Sequence, residues 1–151
     1  MDPTIQIRGL RANELSSTDA IYDELRFARS DPKCTRMVGA FQDDRVIGLG
    51  RLVDLGVHAE DQHFELGGMW VAPLARRSGL AGEIIRTLLD WVSTEDALWC
   101  TPFEDLMPLY GPHGFRIEPA EKAPPALLAR LGRCASAQDR PVVVTRWEGH
   151  G

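Results

Sequence analysis

The stretch over residues 65–91 limits the possible folds more than any other part of the chain. Glu65-Leu-Gly-Gly-Met-Trp-Val71 is strand-like, Pro73 closes a loop, and Ser78-Gly79-Leu80-Ala81 leads into a helix. The helix is legible from Leu80, Ile84, Leu88 and Val92, with Ile85 and Leu89 beside them, an amphipathic stripe at i, i+4, i+8 spacing. A strand that turns through a glycine straight into a helix presents the first helical amides to whatever lies beyond the strand end. Those amides have no intrahelical partner, and the macrodipole adds roughly half a positive charge, so the bend suits a phosphate or diphosphate.

Gly79 permits a positive φ and leaves room for a ligand against the backbone; Ala81 is the next smallest choice. Arg76 and Arg77 bring cations to the same mouth. Taken alone, the pattern also describes a strand that merely turns into a helix. Its context is more specific. Val71-Ala-Pro73-Leu-Ala-Arg76-Arg77-Ser78-Gly79-Leu80-Ala81 resembles the acyl-CoA motif V-x-P-x-x-R-G-x-G-x-G/A of the GNAT superfamily of N-acyltransferases, departing from it at Arg77, where the motif often has glycine. A second segment of that family, Y-x-x-x-G-F, recurs at Tyr110-Gly-Pro112-His113-Gly114-Phe115, with Pro112-His113 where charged residues are often found.

The resemblance covers nearly the whole chain and implies a GNAT fold: α/β, one domain over residues 1–151, with a mixed, mostly antiparallel central sheet of six to seven strands and helices on both faces. It implies acetyl-CoA as co-substrate. The diphosphate would be held around Arg76, Arg77, Ser78, Gly79, Leu80, Ala81 and Gly82, chiefly by main-chain nitrogens. From the residue pattern alone the expectation is an α/β chain with a mixed sheet and helices on both faces.

A chain of 151 residues suits one domain and buries about two thirds of its unfolded surface. No apolar run reaches the roughly 18 residues of a membrane span, and no charged-then-apolar signal segment opens the sequence, so the expectation is a cytoplasmic protein. Cys34, Cys100 and Cys134 are odd in number and widely spaced, which suits neither a disulfide framework nor a zinc knuckle; no metal is expected. The net charge of −5 argues against nucleic acid as a partner, because duplex binding relies on a basic surface. The same excess favours a cationic second substrate.

In chain order, residues 4–8 alternate as a first strand and residues 16–29 form one helix that Asp31-Pro32 stops. Residues 37–41 and 45–53 make a hairpin about Gln42-Asp43-Asp44, and the polar, glycine-containing residues 54–63 read as a loop. Residues 64–71 are a strand buried on both faces and 97–100 a short fifth strand. Thr101-Pro102-Phe103-Glu104 has the pattern of a capping box with proline at the first helical position, and Pro108 should bend or shorten the helix that follows. Residues 115–117 are a sixth strand, Pro124-Pro125 open a short helix through Leu127, Leu128 and Leu131, and residues 141–147 are the last strand. Val142, Val143 and Val144 would give that strand an exposed edge, a basis for a possible homodimer.

Acyl transfer from a thioester to an amine needs a deprotonated nucleophile, a stabilised oxyanion and a protonated leaving thiol. Neutralising a lysine-like amine at pH 7 costs about 4 kcal/mol, so a base or a water chain to a carboxylate helps. Glu65 is the candidate base; strand alternation places it on one face with Gly67, Met69 and Val71. The resemblance implies a bulge in this strand, with main-chain groups of Met69, Trp70 and Val71 beside the thioester and an amide as oxyanion donor. Tyr110, which matches the family tyrosine, is the candidate proton donor to the thiolate. Glu65 as a solvated strand-end residue and Tyr110 as a packed aromatic stay open. Glu104, His63 and His113 are weaker base candidates. Cys100 reads as a buried small hydrophobe rather than an acyl carrier, and Trp70 and Trp99 as core.

Three functional readings follow: an acetyl-CoA-dependent N-acetyltransferase acting on a small-molecule or peptide amine, a CoA-binding or protein-interaction module of the same fold without turnover, or a structural or dimerising domain. The acceptor pocket is expected from the first helical region, residues 54–63 and the segment near the sixth and seventh strands.

Overall fold

The computed structural model describes residues 4–135 and 140–149. Seven strands form one mixed sheet: β1 (Ile5–Gly9), β2 (Thr35–Gln42), β3 (Arg45–His58), β4 (Asp61–Val71), β5 (Ala97–Cys100), β6 (Phe115–Ile117) and β7 (Thr145–Trp147). Their spatial order is β1-β2-β3-β4-β5-β7-β6. All neighbours are antiparallel except β4 and β5. A parallel pair needs a crossover, and helix α2 (Leu80–Asp90) supplies it.

The strand pattern decides which helix covers which face. Leu52, Leu66, Leu98 and Cys100 pack with Leu80, Ile84, Ile85 and Leu88 of α2, and with Tyr110 and Phe115. Gly50 allows α2 this close: a Cβ there would lie 2.7 Å from Ile84 and 2.8 Å from the Met69 sulfur. On the opposite face Leu49 and Met37 pack with Tyr22 of helix α1 (Asp19–Leu25), while Trp99 and Val144 pack with Leu127 of helix α4 (Pro125–Ala135). Helices therefore cover both faces, as the resemblance implies.

Several local expectations are corrected. The first helical region is a 3₁₀ turn, Ala12–Thr18, followed by α1, which is capped by Arg26 in the left-handed region rather than running on to Arg29. Residues 54–63 are not a loop. β3 and β4 run on to a two-residue turn at Ala59 and Glu60, both at positive φ, between the paired His58 and Asp61. Neither residue is a usual choice for that conformation, so the turn left no mark in the sequence. The glycine that suggested a loop, Gly56, sits at φ +83 in a bulge of β3 where the Asp54 carboxylate accepts its amide.

Thr101 caps no helix. Its hydroxyl donates to Glu65 instead, and the following segment is a 3₁₀ turn (Glu104–Leu106) preceding the single turn of helix α3 (Met107–Tyr110). Pro108 near the start of α3 keeps it short, as expected of a residue without an amide. The final strand is shorter than expected and lies between β5 and β6, so it offers no edge for a second copy. Among the described residues, no helix is long and apolar enough to cross a membrane.

Candidate active site

β4 ends in Val71, Ala72 begins a 3₁₀ turn at Pro73–Ala75, and the chain reaches α2 through Arg77 at φ +64 and Gly79 at φ +83. Gly79 is the residue before the first helical turn, and a Cβ placed there would meet nothing within 4 Å. The bend is therefore open, with Leu80, Ala81 and Gly82 contributing the first amides of an eleven-residue helix. Leu80 turns its side chain into the core, 1 % exposed, so only its main chain faces the bend.

The two arginines do different things. Arg76 Nε donates to the Val71 carbonyl at 3.1 Å and closes the strand-to-loop corner. Arg77 is exposed and makes no hydrogen bond or ion pair among the described residues. Ser78 Oγ donates to the Ala75 carbonyl, so its hydroxyl stiffens the loop. One turn into α2, Gly82 lies beside His113 and Arg86; burial and then the Arg86 charge lower the His113 pKa. An anion at this end would meet main-chain amides, Arg77 and a nearby imidazole.

β4 itself is broken by a bulge. Arg51 pairs with Gly67 and Leu49 with Trp70, so β4 carries one extra residue, and Gly68 adopts φ +60. The bulge overturns the expected parity. Met69 and Val71 pack on the α2 side, whereas Glu65 faces the α1/α4 side and Trp70 joins the cluster around Tyr22. The Gly67-Gly68 pair in mid-strand was the available signal. Tyr22, fully buried, donates its hydroxyl to the Gly68 carbonyl at 2.8 Å, and the Arg51 guanidinium lies 4.4 Å over its ring.

β4 and β5 pair only from His63–Ala97 to Leu66–Cys100 and then part. A cavity of about 120 Å³ fills the gap, lined by Gly67, Gly68 and Met69 on one side, Cys100 and Thr101 on the other, and by Glu65 and Tyr110. Phe27, Val53 and Val142 also line it, from the segment after α1, from β3 and from the C-terminal segment.

Glu65 is not a solvated strand end. Its side chain is 11 % exposed, and its Oε1 lies 2.6 Å from Arg130 Nε. Oε2 accepts the Thr101 hydroxyl at 3.2 Å. Arg130, 65 residues distant in sequence, carried no local signal.

Tyr110 is 4 % exposed, packs edge-on against Phe115, and makes no hydrogen bond among the described residues. Burial first, and neighbouring Cys100 second, push its phenol well above the usual range. The Cys100 thiol is likewise pushed well up, by burial and then by Glu65, a direction that disfavours the reactive thiolate.

Of the other candidates, His63 has both nitrogens engaged. Trp99 Nε1 can only donate, so His63 Nδ1 accepts it at 3.0 Å and Nε2–H donates to the His58 carbonyl. Glu104 is exposed on the turn before α3. Trp99 is core, 1 % exposed. Among the described residues no group of three or more His, Cys, Asp or Glu side chains is placed to hold a metal ion.

Comparison with solved structures finds the same fold at low identity. Arabidopsis thaliana Naa50, in complex with the bisubstrate analogue CoA-Ac-MVNAL, is similar at 14% identity and a TM-score of 0.68, over 95% of this chain and 97% of that one. Arabidopsis thaliana NAA60 with a bisubstrate analogue is similar at 13% and 0.67, over 98% and 99%. N-acetylglutamate synthase from Neisseria gonorrhoeae, complexed with coenzyme A and L-arginine, is similar at 15% and 0.63; the match takes in 96% of this chain but only 34% of that enzyme. Identities this low show the fold alone. A search of curated proteins finds no significant match. The family model of the acetyltransferase (GNAT) family matches residues 5–115, more than half of the sequence. The chain belongs to the acetyltransferase (GNAT) family.

Proposed function

We propose that this protein is an N-acetyltransferase that moves the acetyl group of acetyl-CoA to a primary amine by direct attack within a ternary complex. The observation that supports it most is the parting of β4 from β5 beyond Leu66 and Cys100, next to the open start of α2. Along residues 67–71 the strand stays paired with β3 but has no strand partner on its β5 side, which suits a thioester arm. The diphosphate binds around Arg77, Ser78, Gly79, Leu80, Ala81 and Gly82, with Arg76 shaping the loop, and main-chain groups of Met69, Trp70 and Val71 flank the thioester. The ligands of two neighbouring structures, coenzyme A in one and CoA-Ac-MVNAL in the other, agree with this chemistry.

The amine nitrogen bonds to the thioester carbonyl carbon, and the carbon–sulfur bond breaks with its electron pair leaving on sulfur. The ammonium sheds one proton to become nucleophilic and a second as the amide forms. Glu65 relays these to solvent, through carboxylate lone pairs that Arg130 and Thr101 leave unused. Tyr110 donates a hydrogen bond to the departing sulfur. A thiol near 8.5 is more acidic than this buried phenol, so Tyr110 stabilises a thiolate rather than giving up its proton outright. Most of the rate gain comes from positioning and from an amide of the β4 bulge aimed at the oxyanion.

A CoA-binding module without turnover draws on one observation, that Glu65 is already ion-paired. Two measurements separate the readings. Coenzyme A at 100 times its dissociation constant stabilises the fold by about 2.7 kcal/mol, a melting shift of about 5–11 °C at this chain length. No shift at millimolar CoA refutes both. A shift without thiol release from acetyl-CoA on any primary amine leaves the binding module.

A further inference from the structure

The acceptor side of the cavity has a charge arrangement opposite to that of the chain as a whole. Leu127 and Leu131 seat α4 against Trp99. Arg130, three residues beyond Leu127 on the same helical face, is thereby directed toward the sheet. Its Nε holds Glu65 Oε1 at 2.6 Å, and the side chain, 23 % exposed, lines the cavity. The two terminal nitrogens of Arg130 have no partner among the described residues.

Glu65 therefore offers an entering amine an acceptor oxygen but no uncompensated charge. Arg130 offers a planar pair of N–H donors beside it, and the Arg51 guanidinium lines the same cavity from β3. Phe27, Phe103 and Leu106 supply an apolar wall. A purely cationic acceptor brings like charge to this wall. A molecule with an amine and a carboxylate a few bonds apart answers both groups: the amine toward Glu65, the carboxylate across the outer edge of Arg130.

We infer that the acceptor is a small amino acid, a primary amine carrying a free carboxylate, and that Arg130 is the residue that selects it. This rests on the transferase reading above. A peptide N-terminus places a neutral amide where the carboxylate belongs, and is the competing class.

The test is thiol release from acetyl-CoA by the full chain, using matched acceptors: alanine, methionine and phenylalanine, each against its carboxamide and its decarboxylated amine, together with a short peptide. The acids exceed their partners at least tenfold in kcat/KM. Arg130→Gln brings that ratio close to one, chiefly by raising KM for the acids, and Arg130→Lys restores part of it. If Arg130 serves only to place Glu65, the variant lowers kcat equally for acid and amide, and the proposal is wrong. Amides or peptides turned over as well as acids by the unaltered chain also overturn it, whether or not Arg130→Gln folds. Thiol release that ignores the carboxylate removes this inference alone; absence of release from every acceptor while CoA still raises the melting temperature removes the transferase reading as well.

Discussion

Replacing Tyr22 by phenylalanine tests how the β4 bulge is held. The hydroxyl donates to the Gly68 carbonyl at 2.8 Å from a fully buried ring. Phenylalanine keeps the ring, its packing on Leu49 and its place beneath Arg51, and removes only the donor. Leaving a buried carbonyl unanswered costs about 1–3 kcal/mol, a fall in melting temperature of about 2–12 °C for a chain of this size. The same substitution changes the alkaline limb of the stability curve. Burial pushes the Tyr22 phenol from 10.0 up to about 12, with the Arg51 charge opposing.

The unfolded chain therefore loses this proton first as pH rises. The associated stability is fully present below pH 10 and is lost by about pH 12, amounting to about 3 kcal/mol at about 1.4 kcal/mol per pH unit. Phenylalanine cannot ionise, so the variant starts less stable and converges on the parent between those limits. Urea unfolding of both proteins at pH 8, 10 and 11.5 measures the difference. A gap that is the same at all three refutes the buried-phenol argument. Turnover provides the second readout: a relaxed bulge lowers kcat about tenfold with little change in KM for acetyl-CoA, and an unchanged kcat means that Tyr22 does not position the site.

Tyr110→Phe lowers the rate of thiol release while CoA affinity, read by thermal shift, stays nearly intact; unchanged turnover removes Tyr110 from the reaction. Gly79→Val forces a branched residue to φ +83 and fills a bend that is otherwise open. It costs about 1–2 kcal/mol in strain and abolishes the CoA-induced melting shift, whereas a preserved shift places the diphosphate elsewhere. Trp99→Phe strips His63 Nδ1 of its donor and lowers stability by about 1–3 kcal/mol in calorimetry without altering the KM for acetyl-CoA, since both rings belong to the sheet and not to the cavity.

The bend proposed for the coenzyme was legible as a structural unit because it is written in one continuous segment. Strand, glycine bend and helix follow one another between residues 65 and 91, and the stripe from Leu80 to Val92 marks the buried face of α2 with no ambiguity of period. The acceptor side was not legible, because its parts meet only through the fold. Arg130 reaches Glu65 from another helix, Tyr22 reaches Gly68 across 46 positions, and Thr101 abandons a capping pattern to bond a strand. The parity of Glu65 with Met69 failed for a related reason: alternation assumes an unbroken ladder, and one residue at positive φ transfers everything beyond it to the other face. The turn at Ala59-Glu60 is fixed by the pairing of the two strands it joins, and the interior place of β7 by its pairing with β5 and β6, not by residue preference.

If Arg130 selects the acceptor, the same division explains why net charge is a poor guide to it. A total of −5 is a sum over the whole surface, and exposed charges more than about 8–10 Å from a ligand are largely screened at physiological salt. Groups that line a half-enclosed cavity are not screened in this way, and there one carboxylate is already matched by the guanidinium of Arg130. Preference for an acceptor is therefore set by the few donors in contact with it. Removing exposed carboxylates that do not line the cavity, for example Asp43 and Asp44 in the β2–β3 turn, should leave the ranking of acceptors unchanged while altering the salt dependence of association. A reversal of that ranking in Asp43→Asn/Asp44→Asn would mean that the long-range field, and not Arg130, chooses the substrate.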